Sequence, residues 1–101
     1  MTMLGPTLAE RDVAVGKVVA LFDRAEARDF ADVHAFAARF DREELLSLAT
    51  ERDPGLRRED LAERIRRVTD VLTPMHFPEE SRGRFDEIRS FYKRWRSELM
   101  R

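Results

Sequence analysis

Residues 81–99 read SRGRFDEIRSFYKRWRSEL, and the spacing of their large apolar side chains decides the class of fold. Phe85, Ile88, Tyr92, Trp95 and Leu99 recur at intervals of three and four, which on a helix places them in one stripe. A half-buried strand needs strict alternation, and no run in the chain provides it. Between Ser81 and Arg101 there are seven Lys and Arg against three acids, a local balance of +4, while the remainder of the chain carries −5. Basic residues interleaved with Phe91, Tyr92 and Trp95 would suit a single-stranded or tRNA-like acceptor through phosphate contacts and stacking. The same spacing equally describes a core stripe with a solvated basic face, and the periodicity favours that description; Phe91 alone falls off the stripe.

Upstream of this helix the same three-and-four spacing recurs. A first helix is expected after Gly5-Pro6, with Thr7 as N-cap, Glu10 completing a capping box, and Leu8, Val15, Val18, Val19 and Phe22 as its apolar stripe. A second starts near Asp29 and buries Phe30, Val33, Ala37 and Phe40. Asp41 and Glu44 open a third through Leu45, Leu46, Leu48 and Ala49, which Pro54-Gly55 stops. A fourth runs from about Glu59 to Leu72 on Leu61, Ile65, Val68 and Leu72, and its mixture of arginines and acids reads as a solvated face. Pro74 and Pro78 bracket a turn in which Met75 and Phe77 serve as anchors and His76 is exposed. His34, beside Val33 and one turn after Phe30, reads as packing or as a donor to another site residue rather than as a ligand. The expected fold is all-α: one domain over residues 1–101, a compact bundle of about five helices, with Gly and Pro marking segment ends.

Composition narrows the function classes. Nineteen Lys and Arg against 20 Asp and Glu give a net charge of −1, which argues against a generic polyanion binder. The absence of Cys excludes disulfides, thiolate metal sites and cysteine nucleophiles, and two histidines are too few for a His-based zinc site without carboxylate help. No apolar run approaches the roughly 20 residues that span a bilayer, and no leader pattern is present, so no membrane role and a cytoplasmic location are the default expectations.

The segment richest in chemistry is residues 17–32, KVVALFDRAEARDFAD. Lys17, Leu21, Arg24 and Arg28 are spaced at four, three and four, so three cations would share one helix face. Asp29 and Asp32 follow, three apart on the next helix. Cations beside two carboxylates at a helix junction fit a phosphate and metal site, in which a carboxylate orients a divalent ion or takes a proton from an attacking hydroxyl. They fit an interhelical salt-bridge network equally well, since surface ion pairs are common and individually weak.

The stretch from Gly5 to about Gly55, with RAEARDFADVHAFAARF at its centre and LLSLATERDPG behind it, resembles the C-terminal helical region of the AbiEii/AbiGii toxin-type nucleotidyltransferases, relatives of the DNA polymerase β-like enzymes. FDEIRSFYKRWRSEL at the end resembles that family's final helix, and residues 56–78 carry the weakest likeness. The family's closing motif, a lysine, an arginine and then Arg-Asp-x-x-Asp, matches Lys17, Arg24, Arg28, Asp29 and Asp32. The resemblance implies that Lys17 neutralises nucleotide phosphates and that Asp29 is an active-site base or base-positioning carboxylate. It also implies that Arg24 and Arg28 contact phosphate or brace Asp29, and that Asp32 orients an arginine. For the complete enzyme it implies Mg²⁺, a nucleoside triphosphate, an RNA acceptor in some members, and a partner antitoxin.

These 101 residues contain no Gly-Ser loop and no Asp-x-Asp pair, which in the family hold the metals on a sheet. Two helical aspartates cannot take their place, so the chain alone is expected to hold no cofactor and to transfer no nucleotide. Two expectations follow. In one, the chain is the helical half of a nucleotidyltransferase completed by a catalytic N-terminal half. In the other it is a stand-alone helical interaction module, such as a homodimer, whose charged cluster is structural.

Overall fold

A computed structural model describes residues 8–37 and 39–101. The expected Gly5-Pro6 start and Thr7 cap lie outside the described residues. Six α-helices are present among the described residues, and no strand: α1 (Leu8–Arg24), α2 (Ala27–Ala37), α3 (Arg42–Arg52), α4 (Arg58–Arg66), α5 (Glu79–Arg82) and α6 (Phe85–Leu99). The expected all-α bundle is what the chain forms.

α1 buries Ala14, Val15, Val18 and Leu21. Val19 and Phe22 of the expected stripe are only partly covered, and Leu8 stands at the lip of an open groove shared with Val15 and Leu48, 84% exposed. The core side of α1 is therefore rotated towards Leu21, a residue the cation spacing had placed on a charged face. Gly16 lies inside α1 rather than at a segment end; a Cβ there would come within 3.3 Å of the Arg52 guanidinium on α3.

α1 stops at Ala25, whose φ of 52° is in the left-handed region. The Ala25 N–H donates to the Leu21 carbonyl at 2.9 Å, the single-bond left-handed cap of a helix C-terminus. α2 begins two residues before the expected Asp29. Glu26 sits at its N-cap, and its N–H donates to the Asp29 carboxylate at 3.1 Å. Asp41 caps α3 as its spacing implied, accepting the Glu44 N–H at 3.1 Å.

The expected fourth helix divides. After α4 the backbone widens to one π-helical turn over Arg67–Val71, closed by the Leu72 N–H on the Arg67 carbonyl at 2.7 Å. Val68 and Leu72 stay buried across it, so the apolar spacing is satisfied although the turn is wider. A single 3₁₀ turn at Pro74–His76 follows, in which the Thr73 N–H donates to His76 Nδ1 at 2.9 Å. Phe77 alone anchors this segment, edge-on to Phe85 at 5.5 Å, whereas Met75 is 75% exposed. The expected helix from Ser81 to Leu99 is also two pieces. The chain breaks at Gly83, a poor helix former, before α6 starts.

α1 packs against α2, α3 and α4; α6 packs against α4 and α2. The largest buried side chains are Trp95, Tyr92 and Phe30. Tyr92 meets Phe30 edge-on at 5.1 Å and donates its hydroxyl to the Phe30 carbonyl at 2.5 Å, tying the last helix to the second. No helix of the described residues is long and apolar enough to cross a membrane.

Candidate functional site: the charged elbow between α1 and α2

Four of the five motif residues meet in two ion pairs across the elbow. Lys17 Nζ donates to Asp32 Oδ2 at 3.1 Å, and both side chains remain about two-fifths exposed. Arg24 donates to Asp29 Oδ1 at 2.6 Å. Asp29 Oδ2 is taken by the Glu26 N–H, and the Asp29 side chain is only 1% exposed. Both of its oxygens are committed and no face of it meets solvent. The hydrogen bond and charge of Asp29 raise the Arg24 guanidinium above its ordinary value, so Arg24 stays charged.

The three expected cations do not form one face. The left-handed Ala25 turns the chain, and helical spacing does not carry from Arg24 to Arg28 across it. Arg28 is 62% exposed and lies 3.7 Å from Glu26, away from Asp29. Lys17 pairs with Asp32 instead of Asp29, because Asp29 is one turn closer to the elbow, within reach of Arg24. The solvent-facing groups of the elbow are thus Lys17, Asp32, Arg28 and Arg24, the last 47% exposed, while the Asp29 carboxylate is sealed. Asp29 and Arg24 hold the bend.

α4 supplies contacts that spacing did not reveal. Arg64 Nε donates to the Phe22 carbonyl at 2.9 Å while its guanidinium lies over the Phe22 ring, 5.2 Å from the centroid. Arg67 Nε donates to the Ala25 carbonyl at 3.0 Å. These arginines cap the last carbonyls of α1, where cations also complement the helix dipole. The face expected to be merely solvated therefore clamps the elbow from behind. Arg42 and Glu98 likewise join α3 to α6 with a 2.9 Å contact, and Arg42 covers Phe91 at 5.4 Å.

On α6, Phe91, Tyr92 and Trp95 are all buried, at 7% exposure or less. Phe91 packs against Tyr92, Trp95 and His34 rather than standing free, so no aromatic of this group is available to stack a base. His34 meets Phe91 edge-on at 5.2 Å, with Nε2 3.4 Å from Glu87. Burial pushes its pKa below the ordinary histidine value, against the pull of Glu87. Among the described residues, no group of three or more His, Asp or Glu is placed to hold a metal ion.

A scan against family models, a search of curated proteins and a search of solved structures each return no match for this chain.

Proposed function

We propose that this chain is the helical half of an AbiEii-type nucleotidyltransferase, working only when a catalytic half with a Gly-Ser loop and paired aspartates docks at the α1–α2 elbow. The observation that supports this is the exposed Lys17–Asp32 pair beside the braced Arg24–Asp29 pair: the family-like motif is gathered at one place, with its lysine on the surface. In this reading Lys17 neutralises the triphosphate of the donor, and Asp32 holds the ammonium until substrate arrives. Arg24 and Arg28 add two further exposed cations, and Asp29 acts through Arg24 as a positioning residue. Mg²⁺, the nucleoside triphosphate and any RNA acceptor belong to the completed enzyme, as does an antitoxin partner.

The test is reconstitution. The chain is mixed with a catalytic half of this kind, and Mg²⁺-dependent transfer of labelled nucleotide is followed. Transfer that needs both components and is lost in Lys17→Ala supports the reading; transfer indifferent to Lys17, or no association of the two, overturns it.

The closed state of Asp29 favours a second reading, a helical interaction module in which the elbow is structural throughout. Under that reading the chain self-associates or binds a protein, and Lys17→Ala has no effect on any nucleotide response.

A further inference from the structure

Eight of the seventeen arginines are matched to a carboxylate among the described residues, among them Arg11 with Glu44, Arg42 with Glu98, Arg58 with Glu43, and Arg66 with Glu63 and Asp70. Lys93 and Arg96 have no such partner among the described residues, and the Arg96 Nε is buried without a hydrogen-bond acceptor. Both side chains, one turn apart on α6, line a cleft of about 570 Å³ against the π-helical turn, together with Thr69, Asp70, Ser97 and Met100. A buried N–H left without an acceptor is a cost that an incoming ligand would remove.

The one acid in this cleft faces two cations. Asp70 accepts from Thr69 Oγ at 3.0 Å and from Arg66 Nε at 3.4 Å, which answer most of its charge, and Arg96 adds a smaller electrostatic pull. Thr69 is fixed as well, its one hydroxyl proton shared between Asp70 and the Arg66 carbonyl and its own carbonyl accepting from Arg89 Nε at 3.0 Å. The wide turn and α6 are thereby tied together next to the cleft, which leaves Lys93, Arg96 and the Ser97 hydroxyl as its available donors. Two cations and a hydroxyl on one face of a helix match the oxygens of a phosphate group. Met100, 66% exposed at the rim, gives the organic part of the ligand an apolar surface. π-Helical turns recur at ligand sites because the extra residue re-aims side chains.

We propose that the cleft between the π-helical turn and α6 binds a small phosphomonoester, its phosphate held by Lys93, Arg96 and Ser97 and its organic group against Met100. None of these residues belongs to the α1–α2 elbow, so the site stands or falls separately from the nucleotidyltransferase reading. The test is an amide chemical-shift titration of the chain with inorganic phosphate and with phenyl phosphate, against chloride at matched ionic strength. Saturable shifts at Thr69, Lys93, Arg96 and Ser97 are expected, with phenyl phosphate the tighter ligand. Arg96→Gln and Lys93→Gln should each weaken binding about tenfold while the thermal midpoint stays unchanged. Shifts that chloride reproduces, shifts that do not saturate, or parent-level affinity in either variant would overturn the site. Tighter binding of inorganic phosphate than of phenyl phosphate would overturn the placement at Met100.

Discussion

Asp29 has one oxygen on Arg24 and the other on the Glu26 N–H, with almost no exposure to water. A carboxylate so placed is costly to change, because an amide there offers one acceptor oxygen where two donors converge and carries no charge for Arg24. Asp29→Asn is expected to lower unfolding free energy by about 2 kcal/mol, read by urea denaturation. Tyr92 sits at the opposite extreme, a buried hydroxyl with a single backbone acceptor. Tyr92→Phe keeps the ring contacts to Phe30 and Trp95 and removes that bond, so its expected cost is about 1 kcal/mol by the same measurement. The identities of both residues were plain in the sequence, and their partners were not. Tyr92 declared itself apolar through its spacing, but nothing in that spacing pointed to the carbonyl of Phe30.

At the scale of elements, the elbow is where sequence reading and structure part. Spacing carried Lys17, Arg24 and Arg28 along one continuous helix, whereas a single residue in a left-handed conformation ended that helix at Ala25. Alanine carries no signal for such a turn; a glycine would have announced it. The position makes a sharp demand: Ala25 is 2% exposed and its φ is positive. Ala25→Gly should fold with stability within about 1 kcal/mol of the parent. Ala25→Val, β-branched and crowded there, should lose about 2 kcal/mol or more, as thermal denaturation of the pair will register. The elbow is also held by Arg64 and Arg67 from α4, so replacing both with Ala should raise amide exchange in residues 21–27 selectively. Neither arginine was legible as a clamp, since the pattern of α4 fixes which side is apolar and leaves the reach of long side chains open. The break at Gly83 was harder to read than the stripe of Ile88, Tyr92, Trp95 and Leu99, because a core stripe continues to look helical on both sides of a short interruption.

Over the whole molecule, an all-α bundle followed from periodicity alone because burial is dictated by residues such as Leu61, Ile65, Val68 and Leu72 that have no alternative to the interior. What lay beyond the sequence was the pairing of charged groups between helices, where seventeen arginines and 20 acids offer many arrangements of similar energy. That pairing also sets the response to acid. His34 has a folded-state pKa below its ordinary value, chiefly through burial, with Arg84 and Arg94 lowering it further and Glu87 opposing. Protons therefore bind the unfolded chain more readily, and the contribution of His34 is complete above about pH 6.5 and is lost as pH falls through the folded value. Glu98, held low by Arg42, adds a loss of the same sign at lower pH. Urea midpoints should fall from about pH 7 to about pH 5 in the parent and fall less in His34→Gln. An equal slope in the two proteins would remove His34 from this role.

The division of labour at the elbow is open to one direct comparison, the urea unfolding free energies of Asp29→Asn and Lys17→Ala. A bend fastened by the sealed Asp29 carboxylate, with the half-exposed lysine left for a partner, requires a loss of about 2 kcal/mol for the first and less than about 0.5 kcal/mol for the second. Equal losses, or an Asp29→Asn chain as stable as the parent, would contradict it.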